Sequence, residues 1–193
     1  MNQSWEHLKK ECAQCTKCQL GALRTNLVFG VGNEQARILF VGEGPGEQED
    51  LQGEPFVGAA GMLLDDMLRI IDLDRKHNCY IANVVKCRPP RNRDPLDEEQ
   101  AACEAYLAQQ IQLLQPRILI CLGRIAAKKL IDPDYRITAQ HGSWVKKTIY
   151  GVEGIEVTAI YHPSALLRDP SKRPETFSDL MSIRQKMKEL GIE

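Results

Sequence analysis

Four short, mostly apolar runs, each soon broken by glycine or proline, constrain this chain more than any other feature. They are Arg37–Gly42, Tyr80–Val85, Arg117–Leu122 and Ile155–Tyr161. Runs of this length, bounded this way, read as buried strands rather than helices. Helix-like stretches lie between them. Ala59–Ile71 carries Met62, Leu63, Met67, Leu68 and Ile71 at helical spacing. Asp94 and Pro95, followed by Asp97, Glu98 and Glu99, start a second helix with an N-cap acid and carboxylates at the positive end of its dipole. That helix runs to about Gln115, before Pro116. Gly123–Leu130 and Pro174–Leu190 are predicted helical, the latter with Phe177, Leu180, Met181, Arg184 and Met187 on one side. Trp144–Tyr150 and Ile155–Tyr161 flank Gly151–Gly154 as a hairpin or two short strands. Alternating strands and helices imply a mostly parallel sheet covered on both faces, with ligands bound at the carboxyl ends of its strands.

The chain has 193 residues, enough for one domain with a sizeable core, expected over residues 1–193. With 43% hydrophobic and 26% charged residues it is neither disordered nor fibrous. A net charge of -1 excludes a globally basic nucleic-acid binder, though not a local basic face. No apolar run approaches the roughly 18–20 residues needed to span a bilayer. Met1–Lys10 is polar and lacks the apolar centre of an export signal, so a cytoplasmic protein is expected.

The seven cysteines are the anomaly. An odd number without an export signal argues against a disulfide framework. Cys12, Cys15 and Cys18 form C-x-x-C-x-x-C, a spacing that brings neighbouring thiolates to one metal centre. Cys79 and Cys121 lie beside or within strand-like runs and read as small core hydrophobes. Cys87 ends a strand just before Arg88-Pro89-Pro90, and Cys103 sits in a helical stretch. Two of the first three plus Cys87 and Cys103 are therefore expected as ligands, of zinc or of an iron–sulfur cluster.

Chemistry concentrates after the strands. Gly42, Gly44 and Gly46 permit close backbone approach, yet position 47 is Glu47, which breaks the dinucleotide fingerprint G-x-G-x-x-G. The loop is acidic and would repel a pyrophosphate; it suits a site that activates water or stabilises a cation. Phe56, between Pro55 and glycines, is a stacking platform or a core aromatic. Asn83 ends a strand with donors and an acceptor suited to a flat amide-like edge. His162 follows the last strand and can donate a hydrogen bond to a developing anion.

Together, Gly42-Glu-Gly-Pro-Gly-Glu-Gln-Glu-Asp50, Gly53-Glu-Pro-Phe-Val-Gly58, Asn83-Val-Val-Lys-Cys-Arg-Pro-Pro90 and His162-Pro-Ser164 resemble the family 4 uracil-DNA glycosylases. The motifs occur in the family's order and cover the chain from Cys15 to its last helix. The resemblance implies a three-layer α/β/α fold around a mostly parallel four-stranded sheet. It implies a [4Fe-4S] cluster on Cys15, Cys18, Cys87 and Cys103, since Cys18-Gln-Leu20, Arg24 and Val28-Phe-Gly30 fit the family's register. Cys12 falls outside that set.

The implied reaction is hydrolysis of the bond between uracil and deoxyribose in DNA, on a base taken out of the stack. By that resemblance, His162 stabilises the departing uracil anion, an effect of about 3 kcal/mol on the scale of one oxyanion donor. Asn83 reads the base edge, Phe56 stacks on the ring, and the backbone at Glu43 and Gly44 holds uracil oxygens or the water. The related family 1 enzymes carry an Asp where this chain has Gly44, so Glu49 is expected to activate water or else to block the 5-methyl of thymine, with Glu43 as second choice for the base. Uracil-containing DNA is the expected partner of a monomer, with no membrane involved and the nucleoid of a prokaryote as its place. DNA contacts are expected from Lys86, Arg88, Arg91, Ser164, Arg168, Lys172 and Arg173, with Leu166 or Leu167 as the wedge filling the vacated stack. Rival readings are another deaminated base on the same scaffold, a non-catalytic DNA-binding module, and an electron carrier built on Cys12, Cys15 and Cys18.

Overall fold

The computed structural model describes residues 4–192. Helices α1 (Trp5–Ala13) and α2 (Gln19–Leu23) precede a two-residue strand β1 (Val31–Gly32). Strand β2 (Ile38–Gly42) leads through α3 (Glu47–Gln52) and α4 (Ala59–Ile70) to β3 (Tyr80–Asn83). Helix α5 (Asp97–Leu114) precedes β4 (Ile118–Leu122). Helices α6 (Arg124–Leu130) and α7 (Ile137–Gln140) lead to β5 (Val145–Ile149) and β6 (Val152–Ile160), and α8 (Pro163–Arg168) and α9 (Arg173–Glu189) follow.

The strands form one sheet in the order β1-β3-β2-β4-β6-β5. The four predicted runs are its parallel centre, β3-β2-β4-β6. The four-stranded expectation is corrected to six strands among the described residues, because β1 and β5 add antiparallel edges. Strand β5 is the first arm of the expected hairpin. Strand β1 is too short and glycine-rich to leave an apolar run.

Strands β2 and β4 are buried along their whole length, so alternate residues feed two cores. Leu39, Val41, Leu119, Cys121, Val157 and Ala159 pack on one face with Leu107 and Ile111 of α5 and Leu8 of α1. Ile38, Phe40, Ile81, Ile118 and Ile120 pack on the other with Leu64 and Leu68 of α4 and Leu180 and Ile183 of α9. Each Val, Leu, Ile or Phe among them contributes about 1.5–3 kcal/mol by leaving water. Cys79 and Cys121 are core residues, as expected.

Two helical faces differ from expectation. Met62 is 63% and Phe177 51% exposed, while Leu64, Thr176 and Asp179 turn inward instead. Helix α5 begins at Asp97, not at Pro95, because the Glu99 carboxylate reaches back to the Leu96 N–H at 2.8 Å. Arg93 then grips that carboxylate with Nη1 and Nη2, at 2.8 and 2.7 Å.

Candidate active site

Chain order runs from β2 outward to β3, then back across to β4. The connections therefore diverge at the carboxyl end of β2, where a crevice must open. A cleft of about 640 Å³ lies there. Glu43 after β2, Asn83 of β3, Gly123 after β4 and His162 after β6 all line it. Gly44, Glu49, Phe56, Ser164, Arg168 and Lys172 join them. Residues far apart in sequence thus meet because four parallel strands end together.

Asn83 is 2% exposed, and its Oδ1 is buried without a hydrogen-bond partner. A buried orphan acceptor costs free energy that a ligand N–H can return. Gly42 makes room for it: a Cβ there would lie 2.5 Å from Asn83 Oδ1 and 2.7 Å from the Phe56 ring. Phe56 itself is held in the left-handed region, at φ 56°, which costs a non-glycine residue conformational energy. Buried Arg75 offsets that cost by donating to the Pro55 carbonyl at 2.9 Å and the Phe56 carbonyl at 2.8 Å. Asp65 anchors Arg75 in turn at 2.8 Å. Arg75 lies in no motif, so nothing in the sequence marked it.

The Phe56 and His162 rings are 5.5 Å apart, tilted by 33°. Burial pushes the His162 pKa down to about 4, helped by the Arg168 charge, so the imidazole is neutral at pH 7. The Ser164 backbone N–H donates to His162 Nδ1 at 3.2 Å, and its hydroxyl lies 2.7 Å from the same nitrogen. An accepting Nδ1 puts the ring proton on Nε2. His162 therefore offers the cleft a neutral donor, and Ser164 is the residue that sets it.

The two candidate carboxylates differ. Glu49 is spent on backbone: Oε1 accepts from the Val57 and Gly58 N–H groups at 2.9 and 3.1 Å, and Oε2 from Gly46 N–H at 3.1 Å. It clasps the glycine-rich loop to the Phe56 loop, so the expectation of Glu49 as first-choice base is corrected. Glu43 is pushed up to about 7, first by burial and then by the Asp94 charge, with Arg124 and Arg168 opposing. That is the range a general base needs. A carboxylate side chain at position 44 would require Val85 to move, since a Cβ there would lie 2.7 Å from Val85 Cγ2.

Two expected DNA contacts are overturned. Lys86 is 1% exposed, with its ammonium inside the protein, and Leu166 is 1% exposed within the core. Leu167, at 41% exposure, remains at the surface beside the cleft. Arg168 and Lys172 line the cleft, Lys172 with its ammonium 5.0 Å from the Tyr161 ring. Arg88, Arg91 and Arg173 lie outside the cleft lining. Arg124 lines it and was missed, although it directly follows Gly123, the residue after β4.

On the far side of residues 83–87 is a second, smaller cavity lined by Cys12, Cys15, Cys18, Cys87 and Cys103. Among the described residues, no three metal-binding side chains converge as a single ion would require. The thiols instead ring a space. Arg24 Nη1 donates to Cys87 Sγ at 3.2 Å, and the Lys86 backbone N–H to Cys103 Sγ at 3.3 Å. Arg24 also donates to the Ala13 carbonyl, closing the N-terminal segment over the space. Gly21 is required there, because a Cβ would lie 2.7 Å from the Cys15 carbonyl oxygen. Burial pushes the thiols of Cys12 and Cys103 up to about 12 and 11, while Lys86 opposes. Sulfur acceptors, convergent N–H donors and two cations fit a sulfur-ligated anionic group.

Comparison with known proteins agrees with this layout. Residues 29–183 match the Uracil DNA glycosylase superfamily. The chain is 47% identical over 188 residues to the Type-4 uracil-DNA glycosylase of Archaeoglobus fulgidus, covering 94% of this chain and 92% of that protein. It is 46% identical over 167 residues to the Type-4 enzyme of Thermotoga maritima, covering 86% and 84%. A Type-5 uracil-DNA glycosylase of Pyrobaculum aerophilum is more distant, at 30% over 151 residues, covering 70% and 64%. The chain belongs to the uracil-DNA glycosylase superfamily. Within it, the relatives matched at high coverage are Type-4 enzymes.

Proposed function

We propose that this protein is a uracil-DNA glycosylase of Type 4. It hydrolyses the N1–C1′ bond of deoxyuridine in DNA, releases uracil and leaves an abasic site. The observation that carries this reading is the orphaned Asn83 Oδ1 in a cleft that also holds a neutral imidazole donor.

A uracil everted into the cleft stacks on Phe56. Its N3–H fills the vacant Asn83 acceptor, and its O4 accepts from the Asn83 amide nitrogen. Cytosine presents an acceptor at N3 and a donor at N4, so it mismatches both and leaves Oδ1 unpaired. As N1–C1′ breaks, its electron pair passes to uracil. His162 Nε2–H stabilises the charge arriving at O2 without becoming a cation. Water adds to C1′, and Glu43 accepts its proton; the ionised carboxylate also stabilises the positive charge on the sugar. Arg168, Lys172 and Arg124 hold phosphates around the flipped nucleotide, and Leu167 fills its place in the stack.

Cys15, Cys18, Cys87 and Cys103 would hold a [4Fe-4S] cluster, which pins the N-terminal segment to β3 and α5. Cys12 stays a buried neighbour. The protein acts as a cytoplasmic monomer on chromosomal DNA.

The test is incubation with a uracil-bearing oligonucleotide followed by alkali. Wild type should yield strand cleavage at uracil, and His162→Ala should be slower by about 10²–10³-fold, the cost of losing an oxyanion donor. Intact strands with wild type would defeat the reading.

A further inference from the structure

Lys86 is the buried charge that neither site explains by itself. Its ammonium donates to the Asn83 backbone carbonyl at 2.7 Å and to Gln110 Oε1 at 2.5 Å. Gln110 is also fully buried and donates onward to the Phe29 carbonyl at 2.9 Å. Neither acceptor of the ammonium carries a charge. Among the described residues, no carboxylate forms an ion pair with it. Desolvating an ammonium costs several kcal/mol, which neutral acceptors offset only in part. The opposite charges within its field are those that Cys103, Cys12 and Cys87 would carry as thiolates.

We propose that Lys86 is the built-in counter-ion of the iron–sulfur cluster and the positioning residue that carries the cluster's grip to Asn83. This rests on the reading of the cysteines as cluster ligands. The covalent layout fits. Asn83 faces the cleft, Cys87 faces the cavity four residues later, and the Lys86 side chain folds back to tie the two. An anionic cluster retains the ammonium against the end of β3, and the ammonium fixes the peptide from which the base-reading amide projects. Buried positive charge also favours the more reduced cluster, so Lys86 raises its reduction potential.

The experiment compares wild-type holoprotein with Lys86→Met and Gln110→Met. It reads iron loss to a chelator by visible absorbance, the cluster's midpoint potential, and kcat and KM on a uracil oligonucleotide. Lys86→Met should lose iron faster, shift the potential negative, and lower kcat by about tenfold, the scale of one hydrogen bond to a charged group, with KM unchanged. Gln110→Met keeps the charge and should keep the wild-type potential. Equal shifts in both variants, or no shift in Lys86→Met, would overturn the proposal. If Lys86→Met does not accumulate, Gln110→Glu gives the ammonium a rival carboxylate and should shift the potential negative; an unchanged potential there overturns the proposal equally. Colourless, iron-free wild type would overturn the cluster reading itself, and this proposal with it.

Discussion

The cleft and the cysteine-lined cavity share the segment from Asn83 to Cys87 but are built in opposite ways. The cleft is held by backbone: three N–H groups on Glu49, two carbonyls on Arg75, one N–H on His162. Among its fully buried side-chain atoms it leaves one neutral acceptor, Asn83 Oδ1, unpaired. The cavity keeps its sulfurs as thiols raised by burial and sets Lys86 and Arg24 among them. The first arrangement is held together by hydrogen bonds within the protein and presents unpaired polar groups, Asn83 Oδ1 among them, to its ligand. The second stores positive charge that only an anionic group offsets.

The largest effect expected from that contrast is at the cavity. Cys103→Ala should lose the brown chromophore and its iron outright, and melt at lower temperature, since metal binding at such a site is folding free energy. Cys12→Ala should keep the chromophore. Iron analysis and visible absorbance of both variants decide it, and the reverse pattern would mean the ligand set includes Cys12.

At the cleft, Glu43→Gln comes next. The His162 imidazole stays neutral down to about pH 4, so it sets no limb near neutrality. Glu43, raised to about 7, does. Wild-type activity should rise with pH and level off above about 7. The Gln variant should be lower by about 10²-fold or more and lack that limb. Stability moves oppositely. A carboxyl whose folded pKa lies above its unfolded value binds the proton more tightly when folded, so stability falls as pH rises between the two. Removing the ionisable group should raise the melting temperature above pH 7. A pH–rate profile unchanged by the substitution would remove Glu43 as base.

Gly42→Ala separates the two regions most directly. Its Cβ would collide with Asn83 Oδ1 and the Phe56 ring. Shifting either by about 1 Å costs about 10²-fold in rate. Iron content should stay at the wild-type level. Loss of both activity and iron would show that the cleft and the cavity do not hold their shapes separately.

Which parts were legible in the sequence follows the same divide. The parallel strands were readable because each is short, mostly apolar and soon followed by glycine or proline, and strand-end logic led to Glu43, Asn83 and His162. The antiparallel edges were not, since β1 is two residues long and β5 is largely exposed. Lys86 was assigned to DNA because it clusters with Arg88 and Arg91 around Cys87. Charge in a sequence window does not reveal that one side chain turns inward to reach Gln110, 24 residues on. Glu49 was assigned to water activation because it is the nearest carboxylate in the loop where Gly44 replaces the Asp of the related enzymes. Its bonds to Val57 and Gly58 depend on how α3 docks on the next loop, which no local pattern encodes.

The smallest effect expected is at the cleft's rim, where two arginines differ in what they are free to do. Arg93 lies in the cleft lining, but both its terminal nitrogens are committed to Glu99, whose carboxylate is 5% exposed. Arg124 pairs with Asp94 at 2.5 Å, and both partners are about half exposed. An exposed pair of this kind contributes little to stability, so a DNA phosphate can take the place of Asp94 on Arg124 at small cost. Arg124→Ala should therefore raise KM, reduce the slope of log affinity against log salt by about 1, and leave the melting temperature nearly unchanged. It should also move the acid limb of the rate profile to higher pH, because the Arg124 charge helps hold the Glu43 carboxyl down. A salt slope equal to wild type would show that no phosphate exchanges with Asp94. A shifted limb with an unchanged slope would leave Arg124 acting on Glu43 alone.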